Sequence, residues 1–397
     1  MLLFLGSGVS IPSGLPSVEV VTERALGSAP PCRDLGGEGF NSTELDVLLD
    51  INEQKCIHAL LQLLAKIDSE CRHFMSAYWS GKAYKWTGSI YREATTYEDL
   101  YYLCEQIYWN GQGLVDEAPA TAFVNLVEQQ AHELLSGATR EARLIDLYRL
   151  ARKASRLIES TVEKSLKCQI PVCLDVIAAL ALEDIQLNIL TLNHDTLVEQ
   201  VLRKHEIPFF DGFGDADGDV RWWKGSSADG DCACTQLIKL HGSIDWRRFS
   251  VDGKAAIGKV DPIESDSWRL GSGRTITPSI TGAYVLSGVN KIVSYNGGVF
   301  ADMFYRFHRA LVENNTMIMS GYGWGDLGIN IRIEAWLDES AQHKLILLHK
   351  EPELLLNRSP QLDRSYRHWT RLGKVLSVKS WLGEMSSCEL IELAGTP

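Results

Sequence analysis

The chain has 397 residues, 45% hydrophobic and 23% charged, which is typical of a globular protein with one large domain and an insertion, or with two domains. Its formal net charge of −12 argues against a general nucleic-acid-binding protein, because phosphate contacts need clustered lysine and arginine. No stretch approaches the roughly 18 apolar residues of a membrane span, and the short apolar start lacks the basic flank of a secretory signal. The nine cysteines are scattered, so we expect a reducing, cytoplasmic location in which most thiols are buried.

Short apolar runs in the sequence predict buried strands, and polar residues follow most of them immediately. The runs are residues 2–5, 185–192, 237–240, 317–319 and 345–348. Runs of this character fit a parallel sheet that is covered on both faces. Because ligands of open α/β sheets bind beyond the carboxyl ends of strands, we expect an α/β fold with a Rossmann-like parallel sheet and a ligand site at that edge.

A glycine-rich loop, residues 6–14, follows the first predicted strand. Glycines let the backbone approach a pyrophosphate, and free N–H groups can bind its oxygens. The loop differs from the dehydrogenase fingerprint because Ile11 occupies the third glycine position, and Pro12 prevents a regular helix from continuing through it. These residues alone leave open whether the loop binds phosphate or is a tight structural turn.

Helical spacing dominates the long region between the first and second predicted strands. Leucines recur there as on one face of a helix. Residues 96–99 resemble a capping box, and Thr139 is suited to cap a further helix. We therefore expect a Rossmann-like core of residues 1–41 and 168–397 and a large helical insertion of residues 42–167.

The second predicted strand leads into Asn193-His194-Asp195, here called the elbow. Asn193 and Asp195 are two residues apart and can project to the same side. Asn193 can hold a ribose hydroxyl or position a water. Asp195 can orient a neighbouring group, although capping of the following helix is the more common use of such a residue.

The third predicted strand leads into His241-Gly242-Ser243. His241 is the best candidate for a general base because a neutral imidazole titrates near working pH, and Gly242 leaves room for a substrate. A structural histidine is the alternative. Turn residues within 247–276 then predict small β-hairpins.

A glycine-rich turn, residues 320–330, follows the fourth predicted strand. Such a turn before a helix can hold an adenosine ribose or adenine, or it can be a flexible connection. In chain order the four segments resemble the sirtuin-like (silent-information-regulator) superfamily: Gly-x-Gly-x-Ser, Thr-x-Asn-x-Asp, Leu-His-Gly-Ser, and a Gly-Tyr turn that continues through Gly-Asp to Ile-Asn. The resemblance extends from residue 2 to about residue 337.

This resemblance implies a Rossmann-like core that binds NAD and a reaction that breaks the bond between nicotinamide and ribose. It implies Asn193 and His241 as catalytic residues, with His241 as the base. The implied NAD-binding residues are Gly6, Ser7, Gly8, Ser10, Asp195, Gly321, Tyr322, Asp326 and Asn330.

Two departures separate the chain from protein-deacylating sirtuins. Their Asp-Phe-Arg sequence is absent after Gly14-Leu15-Pro16, and only Cys388 follows His241, whereas those enzymes carry four zinc-binding cysteines there. Cys232 and Cys234 precede His241 and are interpreted as small loop residues. We therefore expect no metal site and no structural zinc.

The chain looks more similar to the bacterial sirtuin-like NAD glycohydrolases of anti-phage defence. That likeness implies hydrolysis of NAD to nicotinamide and ADP-ribose, and NAD depletion in abortive infection. The alternatives are an NAD-dependent protein deacylase and a subunit of a defence complex that senses NAD or ADP-ribose. Implied partners are further copies of the chain and a HerA-type ATPase or a short Argonaute, without direct binding to nucleic acid or membrane.

Overall fold

A parallel sheet lies at the centre of the fold. The computed structural model describes residues 1–27, 51–80, 94–114, 117–167, 170–183, 186–225, 234–263, 265–279, 282–286, 291, 295–356 and 360–395. Its strands are β1 (Leu2–Leu5), β2 (Asn188–Thr191), β3 (Phe209–Phe210), β4 (Phe213–Asp217), β5 (Val220–Trp223), β6 (Thr235–Lys239), β7 (Gly242–Ser243), β8 (Trp246–Val251), β9 (Lys254–Val260), β10 (Trp268–Arg269), β11 (Thr275–Ile276), β12 (Tyr284–Val285), β13 (Thr316–Ser320), β14 (Lys344–Leu348) and β15 (Val375–Val378). Its α-helices are α1 (Val18–Ala25), α2 (Ile51–Ser80), α3 (Tyr97–Gly111), α4 (Ala118–Gln130), α5 (Arg140–Leu166), α6 (Asp175–Leu182), α7 (Leu197–Lys204), α8 (Gly298–Val312), α9 (Leu327–Glu339), α10 (Pro352–Leu356), α11 (Pro360–Arg371) and α12 (Ser387–Ala394).

The central sheet has seven strands in the order β15-β14-β13-β1-β2-β6-β3, and every pair in it is parallel. The strand β1 lies between β2 and β13, so that Leu5 is opposite Thr191 on one side and Ser320 on the other. The chain adds β2, β3 and β6 on one side of β1 and then crosses to the other side, where it adds β13, β14 and β15. This reversal creates a topological switch point at the carboxyl end of β1, where α/β sheets bind ligands.

Alternation along β1 explains why its sequence is entirely apolar. Leu2 and Phe4 belong to a core cluster with α8 and α9, whereas Leu3 and Leu5 belong to a second cluster with α6, α7 and α12. Successive side chains of a strand point to opposite faces, and both faces of this sheet are covered. The predicted α/β class with a parallel Rossmann-like sheet is therefore confirmed.

The predicted strands agree with the structure to different degrees. The bounds of β1 match, and the other four predicted runs overlap β2, β6, β13 and β14. The strands β3 and β15 were not predicted. The strand β3 has two residues, too few for a periodic pattern, and β15 is a half-buried edge strand.

Helices α2 to α5 lie between β1 and β2 in the chain and share a core cluster with α1. The predicted caps are confirmed. The Thr96 hydroxyl accepts from Asp99 N while the Asp99 carboxylate accepts from Thr96 N, and Thr139 Oγ1 accepts from Ala142 N. The proposed division between residues 41 and 42 lies outside the described residues, so the domain boundaries stay a prediction.

The predicted hairpins are confirmed. The strands β8 and β9 pair through the turn Asp252-Gly253 in a four-stranded antiparallel sheet of order β4-β5-β9-β8, here called the hairpin sheet, and β10 pairs with β11. Arg247 of β8 donates to Glu163 of α5 at 2.7 Å, which ties the hairpin sheet to the helical region.

The expectation that most thiols are buried is wrong for the described residues. Cys104 is buried, whereas Cys71, Cys173 and Cys388 are exposed. Cys234 forms a disulfide bond, which corrects its interpretation as a simple loop residue, while Cys232 lies outside the described residues. Within the described part of the chain, no helix has both the length and the apolar character that a membrane crossing requires.

Candidate active site

The segments that follow β1, β2, β6 and β13 meet at the switch point of the sheet. Gly6 N donates to Ser320 O at 3.0 Å, which joins the ends of β1 and β13. Leu192 N donates to Leu5 O at 3.1 Å, and Leu240 N donates to Thr191 O at 3.0 Å. The four motifs of the sequence therefore lie along one edge of the sheet.

Close packing explains the glycines at this edge. A Cβ atom on Gly6 would lie 2.5 Å from Gly321 O, and one on Gly8 would lie 2.8 Å from Gly321 Cα. Gly321 itself has a φ of 70° and faces Val9 N. The tight structural turn accounts for these three glycines, and their contact with phosphate stays a prediction.

The glycine loop contains a short helix that the sequence did not predict. Ser7–Ser13 form a 3₁₀-helix that includes Pro12 and ends at Gly14, which has a φ of 83°. The tighter 3₁₀ geometry is common in such short pieces. Within it Ser7 is exposed and Ser10 is buried, so of these two predicted phosphate-binding serines Ser10 is the one that lies in the interior.

Asn193, Ser10 and Asp195 form a buried hydrogen-bonded chain. Asn193 Nδ2 donates to Ser10 Oγ at 3.0 Å and to Gly6 O at 3.2 Å, and Ser10 Oγ donates to Asp195 Oδ2 at 2.8 Å. Asp195 Oδ1 accepts from Leu197 N at 3.1 Å, so the carboxylate binds the first backbone N–H of α7 and also orients Ser10, whereas the N-cap position itself is occupied by Thr196. Burial raises the pKa of Asp195, and the positive charge of Lys239 opposes that effect.

The side-chain oxygen of Asn193 is buried and has no hydrogen-bond partner in the described part of the chain. An unpaired buried acceptor costs about 1–3 kcal/mol. The amide nitrogen donates to both Ser10 Oγ and Gly6 O, so the side chain cannot be rotated to interchange its nitrogen and oxygen. Asn193 Oδ1 is therefore a fixed acceptor that suits a hydroxyl group or a water.

The imidazole of His241 contacts one phenolic hydroxyl and one carboxylate. Its Nε2 atom lies 2.6 Å from the Tyr295 hydroxyl and 3.1 Å from Asp326 Oδ2, and the Tyr295 hydroxyl donates to the same carboxylate oxygen at 2.9 Å. Burial, followed by the charge of Lys291, lowers the pKa of His241, whereas Asp326 raises it. The net lowering keeps the imidazole neutral at physiological pH, as a general base requires.

The side chain of Asp326 is 7% exposed beside His241, and Asp326 is also the N-cap of helix α9. Its Oδ1 atom accepts from Ile329 N at 3.1 Å. Burial alone would raise the pKa of Asp326, but its hydrogen bond to His241 and the charges of His241 and Lys291 hold it below its usual range. Its predicted role toward adenosine stays a prediction, and its contact with His241 was not foreseen.

Tyr322 and Asn330 hold the glycine-rich turn together. The Tyr322 hydroxyl donates to Asn330 Oδ1 at 2.7 Å and accepts from Asp326 N at 3.1 Å. Asn330 Nδ2 donates to Trp324 O at 3.0 Å. These bonds favour a structural use of both residues, and their predicted contact with adenosine is untested.

Three buried residues near the site had no place in the predicted set. Tyr295 comes from a segment without a recognisable motif. His194 has its ring centroid 6.1 Å from that of His241, and its Nδ1 atom lacks a partner among the described residues. Burial, then the charges of His241 and nearby lysines, lowers the pKa of His194 well below its ordinary value. Lys291 pairs at 2.9 Å with Glu98 of α3, so the helical region contributes to the charge of the site.

Metal ligands do not cluster at this edge. Within the described ranges no group of three or more His, Cys, Asp or Glu residues could hold a metal ion. The expected absence of structural zinc stays a prediction, because residues 168 and 232, both cysteines, lie outside those ranges.

A family model described as SIR2-like domain matches residues 187–369, which is just under half of the chain. The matched range includes Asn193, His241 and Asp326 and excludes the glycine loop, which the fold brings beside Gly321. No curated protein matches the chain. SIR2-like domains bind NAD, and members of that family are NAD-dependent enzymes. The match and the parallel sheet together support a relation of this chain to the sirtuin-like superfamily and an activity that involves NAD.

Proposed function

We propose that this protein hydrolyses NAD to nicotinamide and ADP-ribose. One observation supports the proposal most: the Asn193 amide oxygen, which has no hydrogen-bond partner among the described residues, and the buried imidazole of His241 follow the neighbouring strands β2 and β6. Both residues lie within the SIR2-like match. Attack by water requires a base, and it is helped by an acceptor that holds a hydroxyl group or the water. Both groups lie at the same end of this sheet.

The leaving group determines what the protein must supply. In NAD the nicotinamide nitrogen is cationic, so the electron pair of the C–N bond leaves with nicotinamide and neutralises the ring. The ribose becomes oxocarbenium-like and is attacked at C1′ by water, which loses one proton. Little acid catalysis is needed, and the protein must fix the ribose, exclude competing nucleophiles and guide the water.

Asn193 and His241 divide these tasks in the proposal. Asn193 Oδ1 accepts a hydrogen bond from a ribose hydroxyl or from the attacking water, and its fixed orientation favours one ligand pose. His241 takes the proton that the water loses, and the Asp326 carboxylate stabilises the imidazolium that forms. General-base assistance of this type is worth about 10²–10⁴-fold.

The biological role that we propose is NAD depletion in anti-phage defence, in the cytoplasm. It is supported by the resemblance to bacterial sirtuin-like NAD glycohydrolases. A toxic activity has to be restrained until infection, so we propose control by assembly, with further copies of the chain or with a HerA-type ATPase or short Argonaute.

The test is an incubation of purified protein with NAD, followed by quantification of nicotinamide and ADP-ribose. Asn193→Ala and His241→Ala are expected to abolish cleavage and to retain the fold by circular dichroism. Asn125→Ala and His205→Ala are matched controls, because these residues lie on α4 and at the end of α7, away from the edge of the sheet. Wild-type activity in both site variants would overturn the assignment.

A second candidate is an NAD- or ADP-ribose-sensing subunit. It is favoured by the contact of His241 Nε2 with Tyr295, because a ring nitrogen that is already hydrogen-bonded is not free to act on a ligand. Calorimetry that detects tight binding of either nucleotide, without turnover, would support this candidate. Turnover of an acetylated peptide that depends on NAD, with little NAD loss when peptide is absent, would instead support a deacylase.

A further inference from the structure

A group of charged side chains, all buried except the partly exposed Arg221, lies beneath the elbow and is here called the charge cluster. Three cations and three carboxylates belong to it: Arg221, Lys239, Lys259, Glu199, Asp211 and Asp245. The side chains of Lys239 and Glu199 are each 1% exposed. The cluster is neutral overall when all six groups are ionised, and none of the roles inferred from the sequence involves its members.

Lys239 occupies the point at which the charge cluster meets the elbow. Its Nζ atom donates to the backbone oxygen of Asp195 and to Glu199 Oε1, the latter at 3.1 Å. Lys239 ends β6, two residues before His241, and Asp195 lies two residues after Asn193. A single ammonium group therefore links the strand that leads to His241 with the elbow that carries Asn193.

Lys259 provides a comparison inside the same cluster. Its Nζ atom lies 3.2 Å from Glu199 Oε1, 2.9 Å from Asp211 Oδ2 and 3.4 Å from Asp245 Oδ2. It is as buried as Lys239 but belongs to β9 of the hairpin sheet, and none of these contacts is with the elbow. Both lysines are buried and ion-paired, but Lys239 contacts Asp195 and Lys259 does not.

Stability alone is a weak reason for such a cluster, because well-packed apolar residues in place of a buried ion pair are often neutral or stabilising. The ammonium of Lys239 does what an apolar side chain cannot, since it donates to a buried backbone oxygen and to a carboxylate together. We propose that Lys239 is a positioning residue that holds the elbow against β6, so that Asn193 and His241 keep one relative placement. The inference rests on the proposed cleavage of NAD and names a further residue for it.

The experiment compares Lys239→Met with Lys259→Met. Methionine keeps an unbranched side chain of similar length and removes the ammonium. Lys239→Met is expected to lower kcat for NAD about 10- to 100-fold, as small misplacements of reacting groups do, while the Kd for ADP-ribose changes less than about threefold. Lys259→Met is expected to lose comparable stability and to retain at least about half of kcat per folded molecule.

Hydrogen exchange gives a readout that does not require activity. Backbone amides of residues 193–197 are expected to exchange faster in Lys239→Met than in the wild type, and to be unchanged in Lys259→Met. If the wild-type protein does not cleave NAD, the proposed function fails, whereas the exchange data still decide whether Lys239 holds the elbow.

Lys239→Met/Glu199→Gln covers the case in which the single variant does not fold, because one cation and one anion are then lost together. Recovered stability with kcat still low supports positioning. Recovery of stability and kcat together, unchanged exchange at the elbow, or an equal loss of kcat in Lys259→Met would overturn the proposal. Failure of both Lys239 variants to fold, with Lys259→Met folded, would assign Lys239 to the fold alone.

Discussion

Asp326 Oδ2 lies 3.1 Å from Nε2 of His241, at the start of a helix whose first turn the same carboxylate caps. The arrangement places a fixed negative charge beside the ring that would receive a proton. It also couples the two roles, because the backbone of α9 and the imidazole hold opposite oxygens of one side chain.

Asp326→Asn is expected to keep the fold and to lose most of the activity. Asparagine caps helices as well as aspartate does. Asp326 raises the pKa of His241, so its neutralisation lowers that pKa further and weakens the base. We expect kcat for NAD to fall by about 10²-fold, with a melting temperature close to that of the wild type. Steady-state kinetics and calorimetry provide the check, and an unchanged kcat would show that the carboxylate does not assist His241.

Tyr295→Phe tests whether the tyrosine hydroxyl competes with substrate for His241. The hydroxyl lies 2.6 Å from Nε2, and a hydrogen bond between neutral groups is worth about 0.5–1.5 kcal/mol. A substrate group that has to displace the Tyr295 hydroxyl from His241 loses part of this free energy when it binds. We expect Tyr295→Phe to lower the KM for NAD by about two- to fivefold, with kcat within about threefold. A large fall in kcat at constant KM would instead make the hydroxyl part of the proton path.

Stability is expected to fall as the pH is lowered through the ordinary pKa of histidine, about 6.5. Burial lowers the pKa of both His194 and His241, so below that pH the unfolded chain binds protons that the folded protein does not. Their contribution is complete above about pH 6.5 and is lost by up to about 1.4 kcal/mol per pH unit for each histidine. Asp195, whose pKa is raised, acts in the opposite direction at lower pH.

Urea unfolding at pH 7.5, 6.5 and 5.5 measures this dependence. His194→Asn removes one of the two titrating rings and is expected to reduce the slope by about half. A slope that is the same in the variant would mean that His194 takes up its proton equally in both states.

Gly321→Ala is expected to destabilise the protein far more than Gly253→Ala. Both glycines have positive φ values, 70° and 76°, so each substitution carries backbone strain of about 1–2 kcal/mol. A Cβ on Gly321 would also lie 2.5 Å from Val9 N, whereas a Cβ on Gly253 would have no atom of the described residues within 4 Å. We expect the two free energies of unfolding to differ by about 1–3 kcal/mol. Equal losses would show that the loop after β1 moves aside freely.

Local patterns in the sequence predicted the strands and the motifs that follow them. They did not predict the side-chain contacts between those motifs and other segments. The run at residues 2–5 is apolar because both faces of the sheet are covered, so β1 was predicted with its correct bounds. Tyr295 reaches His241 only through the packing of the segment before α8, and no motif marks it. Lys239 was part of a predicted motif, but its burial and its bond to Asp195 depend on the hairpin sheet and α7, which a linear pattern does not reveal.

The two hydrogen bonds donated by the amide nitrogen of Asn193 determine which chemical groups its side chain can bind. With Ser10 Oγ and Gly6 O both on Nδ2, the side chain can present only a lone pair to whatever enters. A sugar that carries a hydroxyl satisfies that oxygen, whereas a deoxy sugar at the same place leaves it buried and unpaired, at about 1–3 kcal/mol. One fixed rotamer would thereby discriminate ribose from deoxyribose by roughly 5- to 150-fold, without any side chain that blocks the wrong sugar.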